Sequence, residues 1–111
     1  MESILTSIKK LLGITEEYTH FDDDIIMHIN TVFMTLTQLG IGPAIGFTIN
    51  GDDLVWTDFV SIDEVAAVKS YVYLRVKLLF DPPLNSSVLA SMERTIAELE
   101  WRLNVAVDPA T

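Results

Sequence analysis

The sequence predicts a mainly α fold, a small four-helix bundle with a β-hairpin or loop insertion between the second and third helices. Three observations carry that prediction. Four stretches, about 2–12, 20–39, 61–81 and 86–103, repeat apolar residues at the helical period. The third of them is apolar on several sides at once, and such a helix is one that neighbours surround. Between the second and third, residues 43–57 abandon that period: Pro43, Gly46, Asn50 and Gly51 interrupt it while apolar residues alternate. With 111 residues, half of them apolar, the chain is long enough to form one domain around a single core, spanning 1–111.

The first helix, about 2–12, aligns Ile4, Leu5, Ile8, Leu11 and Leu12 on one face. Lys9 and Lys10 sit in its last turn, where cations favour the dipole, and Gly13 is placed to stop it. After a connector, Thr19 is positioned to cap the second helix, about 20–39, whose first turn holds Asp22, Asp23 and Asp24. Ile25, Ile29, Val32, Phe33, Leu36 and Leu39 form its apolar face, and Gly40 and Gly42 end it. Its opposite face carries Met27 and Met34 beside Asp23, Asn30, Thr37 and Gln38. These methionines read either as tolerated surface residues or as a partner surface built from adaptable side chains, a candidate subunit interface.

In the insertion, Phe47-Thr48-Ile49 and Leu54-Val55-Trp56 read as two short strands. A two-residue turn at Asn50-Gly51 would set Ile49 against Asp52. A four-residue loop of Asn50, Gly51, Asp52 and Asp53 instead pairs Ile49 with Leu54 and Phe47 with Trp56, so that one apolar face forms; this register is expected. A lone hairpin is marginal, so it should lean on the bundle or on a partner.

The third helix opens with Ser61 and Glu64 in capping-box spacing and is ended by Pro82-Pro83. Val65, Val68, Val72, Val76 and Leu79 line one side. Ala67, Tyr71, Leu74 and Leu78 line a second, and Ile62, Ala66, Tyr73 and Phe80 a third. It is the central helix. The fourth, about 86–103, is capped by Asn85, Ser86 or Ser87 and directs Val88, Leu89, Met92, Ile96, Leu99 and Leu103 inward. Ala90, Ala97 and Trp101 make a second stripe, either core or a seat for a neighbouring helix. Glu98 and Arg102 form a favourable i,i+4 pair. Residues 104–111 are a short tail, interrupted by Pro109 and extended when free.

Composition narrows the function. Seven basic against sixteen acidic residues give a net charge of −9, which argues against a protein that grips a nucleic-acid backbone. It leaves room for a surface past which DNA slides. There is no cysteine, hence no disulfide or thiol chemistry. No apolar run is long enough for a membrane span, and the N-terminus lacks the pattern of a signal peptide, so synthesis in the cytoplasm is the default.

Motifs for chemistry are few. Asp24 and His28 lie one helical turn apart with His20 nearby, a spacing open to a metal or an acid–base pair, but the aspartates already have a role at a helix N-terminus. Asn50-Gly51-Asp52-Asp53 contains part of a calcium-loop pattern in the wrong order. There is no phosphate-binding Gly-Lys-Ser/Thr loop, no nucleophile elbow, and no Glu-Glu-x-x-Glu cluster of an all-α pyrophosphatase. No catalytic residue, cofactor or metal site is assigned.

Taken in order, several segments resemble the phage head-to-tail connector family, small adaptor or DNA-packaging proteins of long-tailed phages. They are Leu12-Gly13-Ile14, Phe21-Asp22, Leu39-Gly40-Ile41-Gly42, Lys69-Ser70-Tyr71, Lys77-Leu78-Leu79-Phe80-Asp81-Pro82-Pro83 and Glu98-Leu99-Glu100-Trp101-Arg102-Leu103-Asn104. The resemblance implies a non-enzymatic virion subunit, about a dozen copies of which form a ring beneath the portal protein. The ring would extend the DNA channel to a stopper or tail-completion protein, DNA passing without sequence-specific binding. By position, the loop with Asn50, Gly51, Asp52 and Asp53 would face the channel or the next ring, and Trp101, Arg102, Asn104 and Val105 would meet the portal. Met27, Met34, Ala90 and Ala97 are the candidate subunit interface. The tail is short for the family, which limits how far it would reach into the portal. The alternatives are a helical binding module or assembly chaperone not retained in the virion, and a metal-dependent phosphohydrolase built on Asp24 and His28.

Overall fold

Four helices form: α1 over Ile4–Leu11, α2 over Asp22–Gln38, α3 over Val65–Phe80 and α4 over Ser86–Val107. They are seen in a computed structural model that describes residues 1–107. Helix α3 is the central element, as its many-sided apolar pattern requires. At its C-terminal end Phe80 meets Phe21, at the start of α2, edge-on with ring centroids 5.3 Å apart. On its other side Tyr71 donates its hydroxyl to Glu100 Oε2 of α4 at 2.7 Å. Those two residues are nine apart and so point to opposite sides of a 3.6-residue helix. Helix α2 and helix α4 therefore flank α3, with α1 packed against α2 and α3. The result is a flattened body, 44 × 36 × 20 Å.

The core is built from the apolar faces that periodicity assigns. Ile25, Ile29, Val32, Phe33 and Leu36 of α2 are buried against Ile4, Leu5 and Ile8 of α1 and Val68, Tyr71, Val72 and Val76 of α3. Each such side chain contributes roughly 1.5–3 kcal/mol of transfer free energy. Helix α4 buries only Ile96 and Leu103 among its described side chains, and Val88, expected inward, is half exposed.

Helix ends follow local chemistry. Ser3 Oγ accepts from the Thr6 N–H at 3.0 Å to cap α1, and Asn85 Oδ1 accepts from Ser87 and Val88 at 2.8 and 3.1 Å to cap α4. Both α1 and α2 stop in the same way. Gly13 and Gly40 adopt positive φ. Their N–H groups bond to Lys10 and Thr37, while Ile14 and Ile41 reach back to Lys9 and Leu36. This pattern is the Schellman stop, which only glycine enters without strain.

Four expectations are corrected. Residues 43–57 form no hairpin: among the described residues there is no strand, and the one bridge joins Val55 to Ser3. The Ile49 backbone groups and the Leu54 carbonyl, which the expected register pairs with each other, have other partners. The Asn30 side chain takes both groups of Ile49, and the Leu54 carbonyl accepts from Ile4 N–H at 2.9 Å. Phe47 packs on Phe33 and Phe59 instead of Trp56. Trp56, in a 3-10 turn over Trp56–Asp58, is buried and donates its indole N–H to Ser7 Oγ at 2.8 Å.

The capping box is also absent. Ser61 makes no side-chain cap; a backbone bond from Glu64 N–H to the Ser61 carbonyl closes a 3-10 turn over Ile62–Glu64, and α3 starts after it. Thr19 does not cap α2, which begins after Phe21 without a side-chain cap. Finally, α4 continues through 104–107, residues read as tail. The rest of that tail, 108–111, lies outside the described residues.

Candidate functional site

The outer face of α2 and the segment 45–48 enclose an open groove of about 660 Å³. Its construction starts at Asn30. The Asn30 amide donates to the Ile49 carbonyl at 2.9 Å and its oxygen accepts from the Ile49 N–H at 2.8 Å, the bonding a neighbouring strand would supply. This ties the loop to α2 and leaves Ile45, Gly46, Phe47 and Thr48 as a wall. Met27 and Met34, 58 % and 63 % exposed, line the groove from the helix side, with Ile45 wholly exposed at its rim. Asp23 is the formal charge in its lining.

On the other flank, Ala90, Ala97 and Trp101 do not enter the core. They stand on the outward face of α4 with Arg94 and Val105, and Trp101 is 66 % exposed. Arg102 is also outward and pairs with Glu98 at 2.7 Å, as its spacing predicts. Asn104 is exposed beside it. Thus the structure separates the candidate interface residues: Met27 and Met34 lie on one flank of α3, Ala90 and Ala97 on the other.

Asn50, Asp52 and Asp53 are exposed and Gly51 is partly covered, at the tip of the loop. The ends of this span are held by Asn30, through Ile49, and by the start of α1, through Leu54, and not by each other as the expected register required.

Two polar clusters sit inside the frame. Lys9 is buried, with Nζ 2.8 Å from Asp22 Oδ1 and donating to the Glu16 carbonyl at 3.0 Å. The approach to Asp22 is ionic rather than a well-aligned hydrogen bond. This pair locks the end of α1 to the start of α2, so Asp22 does more than serve a dipole. At the α3–α4 seam, Glu100 accepts from Tyr71 and lies 3.5 Å from Arg75 Nη1. Burial first, and then the bond to Glu100, raise the Tyr71 phenol well above its ordinary range. At the surface, the Lys10–Glu2 pair lowers the carboxyl and raises the ammonium through their mutual hydrogen bond.

Asp24 and His28 do not combine. Asp24 is exposed, while His28 is half buried with its ring edge-on to Phe80 at 6.4 Å. Among the described residues no group of three or more His, Cys, Asp or Glu side chains is arranged to hold a metal. Sequence reasoning missed Asn30 as the loop anchor and the pairing of Lys9 with Asp22. For Asn30 the available signal was a hydrogen-bonding amide seven residues from Asp23 and between two methionines, on the face opposite the apolar one.

The family model described as phage connector protein matches residues 4–110. No curated protein and no solved structure gives a significant match.

Proposed function

Because the chain belongs to the phage connector protein family, a family of structural virion components, we propose that it is the head-to-tail connector subunit itself. In this reading about a dozen copies form a ring under the portal protein, and closed rings follow from one repeated contact. The ring carries the DNA channel on to the stopper or tail-completion protein. The observation that carries the reading is the family match, which runs from Ile4, the first residue of α1, to residue 110 of the 111.

Three features of the chain support it. The exposed apolar groups, Met27, Met34 and Ile45 on α2 and its loop and Trp101 and Val105 on α4, give a small body two faces to bury in an assembly. The loop tip with Asn50, Gly51, Asp52 and Asp53 offers carboxylates and no cation, suited to a channel lining or ring-to-ring contact on which DNA does not stick. The end of α4, with Trp101, Arg102, Asn104 and Val105, is the segment assigned to the portal. Met27, Met34, Ala90 and Ala97 are assigned to contacts between subunits.

The test is co-sedimentation of the purified protein with tailless heads that carry the portal. The expected result is binding that saturates, as a closed ring requires, at about the dozen copies per head that the connector reading implies. Protein left at the top of the gradient with competent heads refutes the connector reading and favours a chaperone or binding module that never enters the particle.

A further inference from the structure

The two outward faces are unequal and lie on opposite flanks of α3, which suits a head-to-tail contact between copies. Along α2 the groove stripe presents Asp23, Met27, then Asn30 with Thr31, then Met34. Along α4 the outward stripe presents Arg94, Ala97, Trp101 and Val105. The first series steps by four, three or four, and the remainder of eleven; the second steps by three, four and four. Both span eleven residues, about 16 Å of helix.

We propose that the α4 stripe of one copy docks, parallel and in this register, into the α2 groove of the next. Arg94 then stands at Asp23, and the small Ala97 gives way to Met27. Trp101 enters over Asn30 and Thr31 between the two methionines, and Val105 covers Met34. The charges are complementary where the register is set: Asp23 is the charge lining the groove, and Arg94 has no ion pair among the described residues, whereas Arg102 is engaged by Glu98. Thioethers adapt their shape to an aromatic neighbour, and a tryptophan in an apolar pocket is the usual anchor of such a contact. Each docked copy presents a fresh groove on its far flank, so the contact repeats, and it closes when the rotation per copy divides the circle. This proposal rests on the connector reading for the assembly of copies. It takes Trp101 and Val105 from the portal-facing segment and leaves Arg102 and Asn104 to the portal.

The test uses the absence of native cysteine. Met34→Cys and Val105→Cys are made singly and together, and the full-length proteins are treated with a short bismaleimide on portal-bearing heads. The double variant should give a ladder of covalent multimers, a mixture of the two single variants should give dimers, and each single variant alone should give neither. Heads that retain the double variant without a ladder overturn the docking and leave the connector reading standing. Heads that retain nothing, with no ladder, remove both. Efficient dimers of one single variant mean a self-complementary contact, and Val105→Cys joined to a head protein instead of a second copy gives the stripe to the portal; either result overturns the proposal. The register is tested separately: Asp23→Arg or Arg94→Asp should each cut the ladder yield by about tenfold or more, and the two together should restore it. Equal yields in all three overturn the pairing.

Discussion

Replacing Asn30 with alanine tests the claim that one side chain holds the loop to α2. The native amide satisfies both backbone groups of Ile49, at 2.8 and 2.9 Å, and Ile49 is 3 % exposed. Removing it leaves a buried donor and a buried acceptor, at about 1.5 kcal/mol each, or about 3 kcal/mol together. Alanine is the better helix former by roughly 0.6 kcal/mol, which offsets part of this. The net loss is then about 2.5 kcal/mol, a fall in Tm of roughly 10 °C for a chain of this length. Urea denaturation reads the free energy, and hydrogen exchange at the Ile49 amide reads the local release. Thr31→Ala, on the exposed neighbouring position, is the control and should be neutral or slightly stabilising. If Asn30→Ala lies within about 0.5 kcal/mol of the native chain and the Ile49 amide still exchanges slowly, the anchor argument fails. The packing of Phe47 on Phe33 and Phe59 would then be what holds the loop.

Three further outcomes are expected. Asp22→Ala strands the buried Lys9 ammonium with only the Glu16 carbonyl and should cost about 3 kcal/mol. The exposed Asp24→Ala should stay within about 1 kcal/mol by the same denaturation, and equal losses would remove the interhelix lock. Tyr71→Phe should lower stability by roughly 1 kcal/mol near neutrality, through loss of the bond to Glu100. Its phenol is raised in the fold, so it adds no pH dependence below about pH 10; above that the unfolded chain ionises first and the native protein loses stability. The gap between the two proteins should therefore narrow as pH rises beyond 10, and a constant gap in alkaline unfolding curves would contradict the shift. Replacing Asp52 and Asp53 together with lysine should leave assembly intact and slow DNA ejection. Native release kinetics from particles carrying that double variant would take the loop tip out of the channel.

Much of the frame follows from local sequence alone. The apolar spacing of Ile25, Ile29, Val32 and Leu36, the glycines at 13 and 40 and the many-sided pattern of 65–80 specify helices, stops and a central position, because each depends on residues within a turn or two. The family, too, is legible in short segments whose order runs along the chain. What lies between α2 and α3 depends on partners far away in sequence. Asn30 meets Ile49 across 19 residues, Ser7 meets Trp56 across 49, and these contacts outcompete the ladder that alternation and an Asn-Gly pair suggest. The same holds for the candidate site. Helical spacing groups Met27 with Met34 and Ala97 with Trp101. Only packing decides that α3 stands between them, since which side of a helix a neighbour takes depends on the whole fold. That arrangement turns two modest surface stripes into opposite faces of one subunit.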